Sequence, residues 1–135
     1  MIVLLADERD LIRYVTQIDL GIFDYLDKVT NPTTVIYDGA IGLADNLIAA
    51  DGSIGIRIIK EDFCRHLIKR FRKPIVSTSA NIAGEQTPAT FPEITTEIKL
   101  AVDYIVSYRQ DDLTRRQASS VIRWDEKNGP TILRN

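Results

Sequence analysis

Between Lys73 and Phe91 the sequence KPIVSTSANIAGEQTPATF sets Ser77, Thr78, Ser79 and Asn81 directly after the apolar pair Ile75-Val76. Gly84, Thr87 and Pro88 follow. Small hydroxyls bring donors and acceptors close to a ligand and leave backbone N–H groups accessible to an anion. Asn81 adds an amide, and Gly84 permits a tight turn. In open α/β sheets ligands bind outside the carboxyl ends of the strands, and this row leaves a strand at that kind of edge. Ser77, Ser79 and Asn81 are therefore expected to line a crevice with side chains free to meet a ligand. The same residue types also suit a turn that caps itself through local side-chain bonds, and pattern alone leaves both readings open.

Other chemistries find less support. His66 is the only histidine and sits in a helical pattern, at the margin between an apolar and a basic face. No G-x-S-x-G elbow accompanies it, so a serine triad is not indicated. No Walker loop or dinucleotide glycine fingerprint occurs. Cys64 is alone, which excludes an intramolecular disulfide and a cysteine-rich metal site. The carboxylates are scattered and form no convincing metal or acid/base pair.

These residues need elements to carry them. Ile2 to Leu5 reads as a short buried strand. DERDLIRYVTQI reads as a helix with Asp7 as its cap, and LGIFDYLDKV as a second helix ended by Pro32. TTVIY and Ser53 to Ile58 are β-branched strands. In EDFCRHLIKRFR, Phe63, Cys64, Leu67, Ile68 and Phe71 fall within an arc of roughly 140°, the apolar face of a helix expected to pack on the core. Arg65, Lys69 and Arg72 lie on its far side. PIVST follows as a buried strand. Thr90-x-x-Glu93 with Pro92 reads as a capping box that opens a helix through Ile94, Ile98 and Leu100. DYIVSY, SSVIRW and TILR read as three further strands. Alternating strands and helices argue an α/β fold, and the late strand cluster argues a mixed sheet.

The 135 residues suit one domain, 1–135, with 44% apolar and 27% charged residues. A net charge of −2 exerts no global pull toward nucleic acid or anionic membrane. No apolar run approaches a membrane span and no signal-peptide pattern opens the chain, so a cytoplasmic location without membrane contact is expected. Lys60 to Lys73 nevertheless carries six basic residues against Glu61 and Asp62. A solvated helix face explains this run, and a weak RNA-phosphate contact is its sharper alternative.

Taken together the motifs are more specific than any one of them. KPIVSTSANIAGEQTP resembles the P-x-x-x-T/S-S-A-N-x-S-G signature of the YrdC-like family of L-threonylcarbamoyladenylate synthases. SIGIRI, with Arg57, resembles the family's G-x-R strand. TNPTTVIY resembles P-G-P-L-T, ASSVIRW resembles S-T-V-V-D, and ILR resembles the closing I-L-R. The resemblance runs from Ile2 to Arg134 in the family's order. It implies a YrdC-like twisted mixed sheet with flanking helices. It also implies synthesis of threonylcarbamoyl-AMP from threonine, bicarbonate and ATP with release of pyrophosphate, an intermediate used by tRNA-modification proteins. Magnesium would ride on the ATP phosphates, with no metal site in the protein. By the same resemblance Ser77 and Ser79 lie against threonine and nucleotide, and Thr34 contacts ATP. Thr87, Ser119 and Arg134 complete the far wall, and Arg57 and Asn81 belong to the substrate- and ATP-binding set. Catalysis would come from positioning and electrostatics, with no protein nucleophile assigned.

Family members are longer at the N-terminus, where P-T-D/E-T-x-Y-G and K-x-R segments help hold threonine and phosphates. This chain has neither. Thr30-Asn31 replaces Pro-Gly, Ala83 replaces the serine before Gly84, and Ser120 replaces a threonine. Losing two or three charge-assisted phosphate contacts weakens binding by about a thousandfold. The chain alone is therefore expected to make little product, and an unpaired sheet edge is expected to invite self-association. The rival class is a non-catalytic module that binds RNA or a partner protein.

Overall fold

In a computed structural model describing residues 1–135, the chain divides into two units: Met1–Ser77 with Ala118–Asn135, and Thr78–Gln117. The first carries a six-stranded sheet. β1 (Ile2–Leu5), β2 (Thr33–Tyr37), β3 (Ile54–Ile58), β4 (Ile75–Ser77), β5 (Ser120–Asp125) and β6 (Gly129–Arg134) lie in the order β4-β1-β3-β2-β5-β6. The β1–β3 and β2–β5 pairs are parallel and the other three antiparallel, so the sheet is mixed. β4 and β6 are its edges.

Register decides which side chains make the core. Val3 pairs with Ile56, Ile56 with Val35, and Val35 with Ile122. All four are at most 2% exposed, and they join Leu11, Val15 and Ile22 in one apolar cluster. Ile22 comes from α1 (Gly21–Lys28). Successive strand residues point to opposite faces. Leu4 therefore faces the other way, where it packs with Ala6, Ile59 and Ile68 of α2 (Asp62–Phe71). Gly55 lies on this second face. A Cβ there would stand 3.3 Å from side-chain carbons of both Ile2 and Thr34, closer than ordinary contact, so any side chain would require those neighbours to give by a few tenths of an ångström.

Several local expectations change in the folded chain. Asp7 caps its segment as expected, accepting from Arg9 N at 3.0 Å, but Glu8–Arg13 winds as a 3-10 helix rather than an α-helix. Of the apolar arc of α2 only Ile68 is buried. Leu67 and Phe71 are 45% and 56% exposed, because the helix lies on the short β1–β4 end of the sheet, too narrow to cover the whole arc. Val76 is 48% exposed, since β4 is a three-residue edge strand and not the buried strand that PIVST suggests.

In the second unit the Thr90–Glu93 capping box does not form. Thr90 makes no side-chain cap, Glu93 accepts from Ala89 N at 2.9 Å, and Phe91–Glu93 is a single 3-10 turn. The α-helix starts later as α3 (Thr96–Ala101), capped by Thr95. DYIVSY forms no strand, and Tyr104 and Tyr108 are exposed. Strand propensity reflects packing against paired neighbours, and this segment has no ladder partner. No helix is long and apolar enough to cross a membrane.

Trp124, the single tryptophan, ties β5 to the entry of α1. Its indole N–H donates to Asp19 Oδ2 at 2.5 Å, and Gly21 N donates to Asp19 Oδ1 at 2.9 Å. The Trp124 bond, then the Gly21 bond, hold the Asp19 carboxyl below its ordinary value of 3.8. A carboxylate with a depressed folded pKa stabilises the fold above its unfolded pKa, and that contribution is lost as pH falls through the folded value. Trp124 fluorescence should therefore stay flat from neutral pH down to about the ordinary value and change only below it. Asp19→Asn should remove that acid step. A step centred above the ordinary value would contradict the assignment.

Candidate functional site

The face of the sheet opposite the large core gathers four of the expected site residues, all within the first unit. Arg57 pairs with Leu4, and Ser77 pairs with Ile2, two residues from Leu4. Thr34 and Arg57 each stand one residue along from the Val35–Ile56 pair, so they leave the core face together. Thr34 pairs with Val121, and Val121 with Arg134 at the β5–β6 register shift. Thr34, Arg57, Ser77 and Arg134 thus come from four different strands and share one face. Their spacing in sequence gives no hint of this.

A hydrogen-bonded relay joins three of the expected residues. Thr34 is 0% exposed, and its Oγ1 lies 2.9 Å from Ser119 Oγ. Arg134 Nη2 donates to the Ser119 carbonyl at 2.9 Å. In a pair of hydroxyls one donates to the other, and the donor's partner keeps its own proton to offer elsewhere. The pair therefore forms a fixed polar point just before β5, with a guanidinium held beside it.

Arg57 is half-buried, and its Nε is sequestered without a hydrogen-bond partner. Burial pushes its pKa down, and the opposing influence comes from Cys64. That thiol is itself pushed up to about 11, first by burial and then by Glu61, so it is neutral at neutral pH and supplies no countercharge. A partly desolvated guanidinium with an unfilled donor is suited to an anionic oxygen. Nearby on β5, Arg123 is already engaged, with Nη1 2.8 Å from Asp38 Oδ1.

The remaining expected residues belong to the second unit. Ser79 and Thr87 are exposed. Asn81 Nδ2 donates to the carbonyls of Ile82 at 2.9 Å and Glu85 at 3.1 Å, while its Oδ1 is buried without a partner. Gly84, at φ 88°, closes this loop in a conformation that glycine alone adopts without strain. The amide's donors therefore serve the local turn, as one of the two sequence readings had it, and Ser79 leaves its hydroxyl at the surface. No group of three or more His, Cys, Asp or Glu side chains converges to hold a metal ion.

Sequence reasoning did not reach the Thr34–Ser119 bond or the Arg123–Asp38 ion pair. Each spans 85 positions, and no local pattern marks such a contact.

Comparison with known proteins bears on this face. The family model Sua5_yciO_yrdC, described as telomere recombination, matches residues 1–135. A protein of Methanocaldococcus jannaschii named "Putative threonylcarbamoyl-AMP synthase" is 36% identical over 101 residues, covering 74% of this chain and 46% of that protein. A threonylcarbamoyl-AMP synthase of Idiomarina loihiensis is 27% identical over 109 residues, covering 78% of this chain and 59% of the relative. The chain thus spans about half the length of the curated relatives it matches. Full-length HypF, solved in its phosphate- and nucleotide-bound form, superposes with a TM-score of 0.73 at 22% identity, over 97% of this chain and 20% of HypF. That likeness carries the fold alone: the mixed six-stranded sheet with flanking helices is a YrdC-like sheet.

Proposed function

The chain belongs to the Sua5/YciO/YrdC family, and from that premise we propose that it takes part in making threonylcarbamoyl-AMP from threonine, bicarbonate and ATP, for the modification of tRNA. The observation that carries this reading is the shared sheet face, where Arg57, Thr34, Ser77 and Arg134 from four strands present one guanidinium with an unfilled donor and a fixed hydroxyl pair. Two relatives bearing the synthase name support it.

In this reading Arg57 meets an ATP phosphate and Arg134 the nucleotide end. The Thr34–Ser119 pair orients a neutral or anionic oxygen, and Ser77 meets threonine; for Ser79, in the second unit, the likeness of the S-T-S-A-N segment to the family signature proposes the same ligand. The protein would supply position and charge while a carbamate oxygen formed from threonine and bicarbonate bonds to the α-phosphorus of ATP, the α–β phosphoanhydride bond breaks, and pyrophosphate leaves with that electron pair. Magnesium carried in on the ATP phosphates would offset its charge. Proteins of tRNA modification would consume the product, and self-association through a sheet edge belongs to the same set of proposals.

The test has two readouts. Calorimetry measures ATP binding, and a coupled assay measures pyrophosphate release that depends on both threonine and bicarbonate, with Ser79→Ala as the control. ATP binding with dependent release that Ser79→Ala lowers supports the reading. ATP binding with no dependent release even after the P-T-D/E-T-x-Y-G and K-x-R segments are supplied overturns the synthase step while leaving a nucleotide site. Loss of both overturns the reading altogether.

A further inference from the structure

A second polar feature lies away from the sheet-face residues. A cavity of about 350 Å³ opens at the carboxyl end of β1, with Leu5 and Ala6 in its wall. Arg13 and Tyr14 border it from the end of the 3-10 segment, and Lys69, Arg72 and Lys73 border it from the end of α2 and the turn beyond. Arg72 makes this convergence possible. It caps α2 in the left-handed conformation at φ 59°, its N–H bonded to the Ile68 carbonyl at 2.9 Å, and so turns Lys73 back toward β1.

The charge in this cavity is out of balance. Four cations face one carboxylate, Asp10, whose contact with Arg13 is a loose 3.9 Å. Asp7 adds only a little relief, to Lys69. Its hydrogen bonds with Arg9 hold it well below the usual carboxylate range, with Lys69 a minor contributor. Cations in the last turn of a helix offset its dipole, which amounts to roughly half a charge. That accounts for one of them and not for Arg13, which arrives from a different segment. In a chain whose net charge is −2, four cations around one hollow at the carboxyl end of a sheet strand have the geometry of an anion receptor.

We propose that this cavity binds a compact phosphate-bearing anion, held by Arg13, Lys69, Arg72 and Lys73. A compact ligand fits better than an RNA strand, because the cations converge on one hollow and Tyr14 is the only aromatic ring in its wall. Strand binding calls for successive stacking platforms along a groove. The proposal does not depend on the reading of the sheet face.

Calorimetric titration of the chain with inorganic pyrophosphate tests it. Lys69→Gln with Arg72→Gln should weaken binding by about tenfold for each cation removed. Arg13→Gln, on a separate segment, should weaken it similarly, which a local disturbance of α2 cannot explain. With the sheet-face contact removed by Arg57→Gln, pyrophosphate should still bind and should still respond to the cavity variants. The proposal fails if pyrophosphate does not bind, or if its affinity ignores the cavity variants. It fails equally if Arg57→Gln abolishes pyrophosphate binding, which would place the anion on the sheet face alone. Binding of a single-stranded RNA oligomer that needs Lys69 and Arg72 but is not displaced by pyrophosphate would overturn it in favour of a nucleic-acid surface.

Discussion

Arg57→Gln is expected to weaken ATP binding by about ten- to a hundredfold, the loss of one charge-assisted phosphate contact. The variant should not unfold more readily than the parent. Arg57 Nε is buried without a partner, and the neighbouring Cys64 thiol is neutral at neutral pH. Removing a partly buried charge that nothing in the protein balances relieves a desolvation cost, so stability should hold or rise. A purely structural arginine would give the opposite pair of results: unchanged affinity and a lower melting temperature. Arg57→Lys should recover little affinity, because an ammonium lacks the planar fork of donors. Calorimetry with ATP, alongside thermal unfolding of the same samples, separates these outcomes.

Ile56→Ala should cost about 2–5 kcal/mol of stability, a large share of what a domain of this size possesses. Ile56 sits at 1% exposure between Val3 and Val35, in the middle of the registered row that forms the floor of the core. Truncation there removes buried surface and leaves a cavity that strands paired on both sides cannot close. Val76→Ala, on the exposed edge strand, should fall within about 0.5 kcal/mol of the parent. The comparison is made by urea unfolding, read as a shift in midpoint at constant slope. Equal shifts for the two variants would mean that the sheet is not organised around this row.

The likeness of the S-T-S-A-N segment to the family signature was legible before any fold was known, and the family follows from the matched chain. What became of the individual site residues was not legible. Ser79 and Thr87 read as ligand groups, and they stand exposed in the second unit. Asn81 read in two ways, and its donors proved to be taken by its own loop. Arg13 was never a candidate, because nothing in DERDLIR places its side chain beside Lys69 and Arg72.

The sequence by itself determined the elements whose causes are local. The alternation and β-branching of IVLL, TTVIY, IGIRI and SVIRW mark β1, β2, β3 and β5, since a period of two and a stiff side chain are properties of a few neighbouring residues. Asp7 caps its segment for the same reason, with its partner only two residues away. The tertiary structure alone decided what depends on distant partners. DYIVSY has the composition of a strand and no ladder to join, and Leu67 and Phe71 have the right helical spacing but too narrow a surface beneath them. Arg57, Thr34, Ser77 and Arg134 share a face because registers between separate strands set their parity, and shifting any strand by one residue would turn its side chain to the other side.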